Sequence, residues 1–303
     1  MRKKYHSGKN RRKKEKLIRS AFFVIALASI VTLGMIVAFL FMEGLPIFSK
    51  IHVFDFIFGT DWYPTDDPPD FGIFSLIIAS LSVTAVSSVI SIPLGILTAL
   101  FLAETATQKV REIVKPIVEL LAALPSVVIG FFGMVVVAPF LQRVFELDTG
   151  LNLFNAALML AFMSVPTICS ISEDAIFGVP KELKEASLAL GATHWETIRR
   201  VILPASISGI STAVILGMSR AIGETMVVLM VAGGAAMVPE SLFDPVRPLP
   251  ASIAAEMAEA PFRGDHYHAL FATGIVLFLF TMAFNMVAEY ISNRYRQVGA
   301  ATL

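Results

Sequence analysis

The sequence predicts an all-α polytopic membrane protein with six transmembrane helices. Three observations carry this. The 303 residues are 56% hydrophobic and only 16% charged, against about 25% charge in an ordinary soluble domain. Six stretches are apolar enough, and long enough, to cross a hydrocarbon core, which takes roughly 20 helical residues. Lysine and arginine are also distributed unevenly between alternate loops. The 24 basic and 24 acidic residues cancel, so net charge says nothing about partners. The one cysteine, Cys169, excludes a disulfide framework and any cysteine-based zinc or iron–sulfur centre within the chain.

The spans follow in order. Residues 1–19 hold ten basic residues and form a basic N-terminus. Residues 20–42 are the first span. Their apolar run exceeds the ~7–15 residues of a signal peptide, and no small-residue cleavage site follows, so a retained signal anchor is expected. Segment 43–70 carries Lys50 alone against six acidic residues and reads as an outer loop. The second stretch, 71–103, would cover roughly 50 Å as a helix against a core of about 30 Å. Pro93 places the expected kink or break near residues 92–95. Residues 120–142 form the third span, interrupted by Pro125, Gly130 and Gly133. Residues 149–172 form the fourth and contain Pro166. The fifth stretch, 201–239, is interrupted only by Arg220 and Glu224. A hairpin turning at those charges would leave a short second half containing Gly233 and Gly234, so one helix over about 205–235 is expected instead. Residues 269–288 form the sixth span, and 290–303 a short tail.

Basic residues concentrate in the N-terminus and in loops 104–119 and 173–200, and they are sparse in 43–70 and 143–148. By the positive-inside bias, both termini are cytoplasmic. The basic N-terminus then sets topology and touches anionic membrane lipid, at about 1 kcal/mol per basic residue near the surface. Nucleic acid is a poor partner for a charge run that abuts a span.

Within the fifth stretch, Arg220 and Glu224 stand four residues apart and would share one helix face. Intramembrane charges are costly and point to function by default. One reading is an anion path in which the guanidinium meets phosphate-like oxygens. The other is a structural ion pair. The first is preferred, because a structural pair has cheaper apolar replacements. Gly209, Ser211, Ala213, Gly217, Ser219, Ala221 and Gly223 form a small-residue face suited to close helix approach. The five histidines all lie in loops. His266 and His268 alone make a weak metal set, so no metal, cofactor or catalytic group is expected.

The loop between spans four and five, 173–204, carries the most specific pattern. A short helix over 181–190 after Pro180, a Gly191 C-cap and a Thr193 N-cap give a helix–glycine–helix module. From the residues alone it is either a dock for a soluble partner or an ordinary amphipathic loop. Its pattern resembles the coupling loop of bacterial ABC importer permeases: Glu185-Ala186-Ser187, then Gly191, then Val201-x-Leu203-Pro204 at the family's spacing. Ser187 and Val201 are the departures. Residues 124–133, with Leu124-Pro125-Ser126, and 219–225, with Ser219-Arg220-Ala221-Ile222-Gly223-Glu224-Thr225, resemble the phosphate permeases. Asp61-Trp62-Tyr63-Pro64 in a long outer loop is similar to the PstC type rather than its partner PstA.

The resemblance implies a MetI-like type I permease core over 71–289 in a bacterial inner membrane, importing inorganic phosphate. Arg220, Glu224, Ser126 and Thr225 are then candidates for the substrate pathway. Glu185, Ala186, Ser187, Gly191, Leu203 and Pro204 would meet the ATPase. The implied partners are a second, PstA-like permease, two copies of a PstB-like ATPase and a PstS-like phosphate-binding protein. The chain lacks a Gly-x-x-x-x-Gly-Lys-Ser/Thr phosphate loop, so ATP hydrolysis falls to the separate subunit. Import of another oxyanion, molybdate or sulfate, and a membrane sensor or scaffold remain the alternatives.

Overall fold

A computed structural model describes the backbone of residues 8–300 and the side chains of residues 15–290. Most of the expected basic N-terminus and part of the tail therefore lie outside the described side chains. The chain begins with α1 (Gly8–Gly44), a 3-10 turn at Leu45–Ser49 and α2 (Val53–Phe58). Two short strands, β1 (Trp62–Tyr63) and β2 (Asp70–Phe71), pair antiparallel with Trp62 opposite Phe71. Next come α3 (Phe74–Leu100), α4 (Gln108–Ala123), α5 (Ser126–Phe132), α6 (Ala138–Phe145) and α7 (Leu153–Phe177). The remainder is α8 (Lys181–Ala189), α9 (His194–Thr197), α10 (Leu203–Ile222), α11 (Met226–Val231), α12 (Leu249–Glu256) and α13 (Asp265–Ala300). Wide π-helical turns at Phe101–Thr105, Gly133–Val137 and Ile198–Ile202 join α3 to its end, α5 to α6 and α9 to α10. Six segments are long and apolar enough to cross a membrane: Glu15–Ser49, Phe74–Thr105, Ser126–Phe145, Leu153–Phe177, His194–Ile222 and Asp265–Tyr290.

α7 is the central post. α3 runs parallel and α10 antiparallel along it, and small residues set the distance. A Cβ on Gly95 of α3 would fall 2.7 Å from Ile168, one on Gly217 of α10 2.5 Å from the same side chain, and one on Gly209 2.3 Å from Ala175. Ile168 is thus wedged between two glycines and fully buried. The small-residue face expected on the fifth span packs here, within the chain, through Gly209, Ala213, Gly217 and Ala221. Ser219 turns aside, and its Oγ donates to Asn285 Oδ1 of α13 at 2.5 Å. α1 runs along α13 at the edge, with Phe39 edge-on to Phe271.

The buried residues fall in three layers. One layer, at the end that carries α8, joins Ala99, Leu102, Cys169, Ile176, Ile198 and Ile202. A middle layer joins Val83, Ile129, Leu160, Met163 and Val227. At the far end Ile47, Phe56, Trp62, Phe71, Ile73, Leu249 and Leu270 form a cap over the crossings.

Three expectations need correction. The fifth stretch is not one helix over 205–235: α10 stops at Ile222. Gly223 is a poor helix former, and Glu224 and Thr225 bind nearby backbone instead of extending the ladder. Glu224 Oε1 accepts from Val227 N at 3.3 Å and Thr225 Oγ1 donates to Gly223 O at 3.3 Å. The chain then continues as α11 toward the far end, where Gly233 packs on Leu151 and Pro245. The stretch still crosses once. The helix of the second stretch also does not break at Pro93, where a kink or a break is expected. α3 is continuous through it, because packing along α7 holds the backbone where a free helix would part. Pro125 separates α4 from the third crossing, which runs Ser126–Phe145 rather than over 120–142. Leu124, pushed out of the helical region by the following proline ring, is extended at φ −63° and ψ 133°.

Candidate translocation and coupling sites

The break at 223–225 puts Arg220 in the last turn of α10. Its depth follows from Gly217, one turn earlier, which lies against Ile168 and whose carbonyl is 3.4 Å from Ser164 Oγ in the middle of α7. Arg220 continues the exposed edge of Thr212 and Leu216 and makes no ion pair or hydrogen bond among the described residues. The Arg220–Glu224 ion pair, the alternative to the preferred anion-path reading, is not formed among the described residues. The helix ends between the two residues, and Glu224 caps α11 instead. Ser126 opens α5 just as Thr225 precedes α11. These two short helices run side by side in the same direction, with Gly130 against Val227 and Met230 and Gly133 against Val231. The two helix breaks thus fall at similar depth, which brings Ser126, Glu224, Thr225 and Arg220 to one level of the bundle.

The helix–glycine–helix module forms as its sequence dictates. α8 starts directly after Pro180 and ends at Leu190. Gly191 takes φ +84°, with Ala192 N donating to Ser187 O at 3.3 Å. A glycine reaches this left-handed geometry without a Cβ penalty. Thr193 then builds a capping box: its Oγ1 accepts from Glu196 N, and its own N–H donates to Glu196 Oε2 at 2.9 Å. Ser187 and Thr197 hydroxyls meet at 3.0 Å and fix α8 to α9. Glu185, Ala186 and Gly191 are exposed, as are Leu183, Leu188, Leu190 and Trp195. Leu203 and Pro204 begin α10 and continue directly from the π turn.

Three charged clusters were not singled out in the sequence. Glu173 lies inside α7, 1% exposed, with Arg111 Nη2 of α4 at 2.8 Å and Lys115 Nζ at 3.1 Å; Lys115 also reaches Asp174 at 3.7 Å. Burial by itself lowers the Lys115 pKa, but the hydrogen bond and charge of Glu173, helped by Asp174, outweigh it and hold the ammonium above its ordinary value. Arg111 and Lys115 border a cavity of about 760 Å³ also lined by Ala103, Gln108 and Phe177. Nearby, Lys184 of α8 pairs with Glu104 in the turn that closes α3. At the far end, Glu256 accepts from Trp62 Nε1 at 3.0 Å, Arg247 Nη1 at 2.5 Å and Ser252 Oγ at 3.3 Å, and lies 2.8 Å from His266 Nε2. His268 Nδ1 lies 2.6 Å from Glu43 O, so the two histidines serve different partners. Among the described residues no group of three His, Cys, Asp or Glu is placed to hold a metal. The sequence signal for Glu173 was its position at the edge of an apolar run, which reads as a loop start when charge alone ends a span.

Six apolar crossings around a post, half-helices that meet at mid-depth, and a helix–glycine–helix appendage define the membrane-embedded subunit of a solute transporter. The chain belongs to the family of binding-protein-dependent transport system inner membrane components, which it matches over residues 91–297. It is 38% identical to the probable ABC transporter permease protein YqgH of Bacillus subtilis, over 95% of this chain and 94% of that one. It is 37% identical to the phosphate transport system permease protein PstC of Mesorhizobium japonicum, over 80% of this chain and 79% of that one. A crystal structure of a bacterial alginate ABC transporter, in complex with an alginate pentasaccharide-bound periplasmic protein, aligns at a TM-score of 0.67 and 17% identity, covering 93% of this chain and 96% of that one. The six-span, MetI-like permease fold expected from the sequence is the fold observed.

Proposed function

We propose that this chain is the PstC-type permease of an ATP-driven importer of inorganic phosphate. It lines the path with a second, PstA-like permease, sits above two PstB-like ATPase subunits that hydrolyse the ATP, and receives phosphate from a PstS-like binding protein. The observation that carries this reading is Arg220. An unpaired guanidinium at mid-depth on an open helix edge is costly against lipid, by at least about 2.5–3.5 kcal/mol. A polar pathway shared with the second permease removes that cost and gives the guanidinium an oxyanion to bind. Ser126, Glu224 and Thr225 stand at the same level and complete the candidate pathway.

In this reading residues 1–19 and 290–303 are cytoplasmic, 20–42 is the first crossing, 43–70 faces outward and 71–289 is the permease core. Loop 173–204 docks the ATPase through Glu185, Ala186, Ser187 and Gly191, with Leu203 and Pro204 leading the motion into α10. The exposed Leu183, Leu188, Leu190 and Trp195 support a docking surface, because apolar side chains displayed together outside the bundle mark an interaction site.

The test is reconstitution of the four-component complex in liposomes with radiolabelled phosphate. ATP-dependent uptake that excess sulfate or molybdate leaves unchanged is expected; uptake of either competitor in place of phosphate overturns the substrate assignment. Arg220→Lys keeps the charge and loses the planar fork. At equal complex abundance it is expected to assemble normally and cut uptake about tenfold or more, the order of one lost bidentate contact.

A further inference from the structure

The helix–glycine–helix module is attached to the bundle in two ways. Along the chain, α8 rests on α9 and on the π turn Ile198–Ile202, which lead directly into α10. The Ser187–Thr197 hydroxyl contact belongs to that route. The second attachment is ionic and reaches a different crossing: Lys184 pairs with Glu104, 80 residues earlier in sequence, in the turn that closes α3. The Glu104 side chain is 6% exposed and that of Lys184 22%. Glu185, the next residue along α8, is exposed. One residue of the helix thus faces the bundle while its neighbour faces outward.

We propose that Lys184 and Glu104 are a positioning pair through which a displacement of α8 is passed to α3, in parallel with the covalent route through α9 into α10. The inference rests on the reading of loop 173–204 as the ATPase dock. α3 and α10 flank α7 on Ile168, so a push delivered to only one of them would shear that contact, whereas a push delivered to both moves them together. A largely buried charge pair suits this role because it is stiff. Removing one partner leaves a buried charge uncompensated, so the pair resists being pulled apart.

The test uses the full reconstituted complex and three readouts: copurification of the ATPase, unstimulated ATP hydrolysis, and phosphate taken up per ATP in the presence of loaded binding protein. Glu104→Lys is expected to retain the bound ATPase and its unstimulated hydrolysis, and to lose about fivefold or more in uptake per ATP, the low end of ordinary coupling free energies. Adding Lys184→Glu to it restores the pair in reverse and is expected to recover uptake per ATP. Wild-type uptake per ATP in Glu104→Lys, or no recovery in an assembled double variant, overturns the proposal. If Glu104→Lys does not assemble, the neutral pair Glu104→Gln with Lys184→Gln decides. Assembly with reduced uptake per ATP supports the proposal, whereas failure to assemble, or normal coupling, assigns the pair a structural role only. The docking reading is checked separately with Glu185→Lys, which is expected to lose the ATPase on purification. An ATPase retained there overturns the dock itself, irrespective of the Glu104 result.

Discussion

Arg220 and Glu256 illustrate how differently two charged side chains can be used in one membrane chain. Arg220 has no partner among the described residues and sits at an open edge. Glu256 is saturated with donors from three separate segments: Trp62 from the β1–β2 hairpin, Arg247 from the strap before α12, and His266 from the start of α13. Glu256→Gln keeps one acceptor and removes the charge. The loss expected is about 1.5–3 kcal/mol, the range for hydrogen bonds to charged groups, read as a lowered thermal midpoint of the purified complex. Arg220→Gln should leave that midpoint unchanged, because no contact within the chain is lost. The reversal Arg220→Glu with Glu224→Arg is expected to abolish uptake: there is no ion pair for it to preserve, and it moves the guanidinium beyond the helix end. At this scale the sequence made Arg220 visible because a charge in an apolar run stands out. Glu173 escaped notice for the converse reason. Its neutralising partners, Arg111 and Lys115, lie on α4, some sixty residues away in sequence, and one-dimensional hydropathy has no way to pair them.

Among the elements, those governed by local chemistry were legible and those governed by packing were not. α8 and α9 follow from Pro180, Gly191 and the Thr193–Glu196 box, all within one short segment. Gly191 has φ +84° and open space where a Cβ would go, so its substitution strains backbone without creating a clash. Gly191→Val is expected to cost about 1–2 kcal/mol through the left-handed geometry and to weaken ATPase retention. Gly191→Asn, which tolerates that region, should retain most of it. The end of α10 was not legible, since Gly223 competes with a long apolar continuation and only the side-chain contacts of Glu224 and Thr225 tip the balance. The contact between α7 and its neighbours gives a third test. Gly217→Ala places a Cβ 2.5 Å from Ile168 and should destabilise the bundle by about 1–3 kcal/mol. Combining it with Ile168→Ala should cost less than the two changes added together, because the smaller side chain admits the new methyl. A double-mutant cycle on complex stability measures that coupling.

Across the whole molecule, the placement of loops at one end or the other is fixed by the directions in which the helices pack, independent of charge. α7 begins beside Gly233 and Pro245 and ends beside α8; α1 and α13 run antiparallel, so the start of α1 and the end of α13 lie at the same end of the bundle. The basic loops lie at that same end, which is why the charge bias and the fold agree on how the segments sort. Cys169 is buried and is the only native thiol, so single cysteines added at exposed positions report sidedness cleanly. In intact cells, Thr65→Cys and Glu240→Cys are expected to react with a membrane-impermeant maleimide, and Lys181→Cys only after permeabilisation. Glu240 is the decisive position. It follows the α10–α11 break, and a stretch that doubled back at Arg220–Glu224 would carry it to the α8 side. Protection of Glu240→Cys together with Lys181→Cys would therefore overturn the single crossing. Labelling of Glu240→Cys without Lys181→Cys places the break within one crossing, with Arg220 inside the membrane.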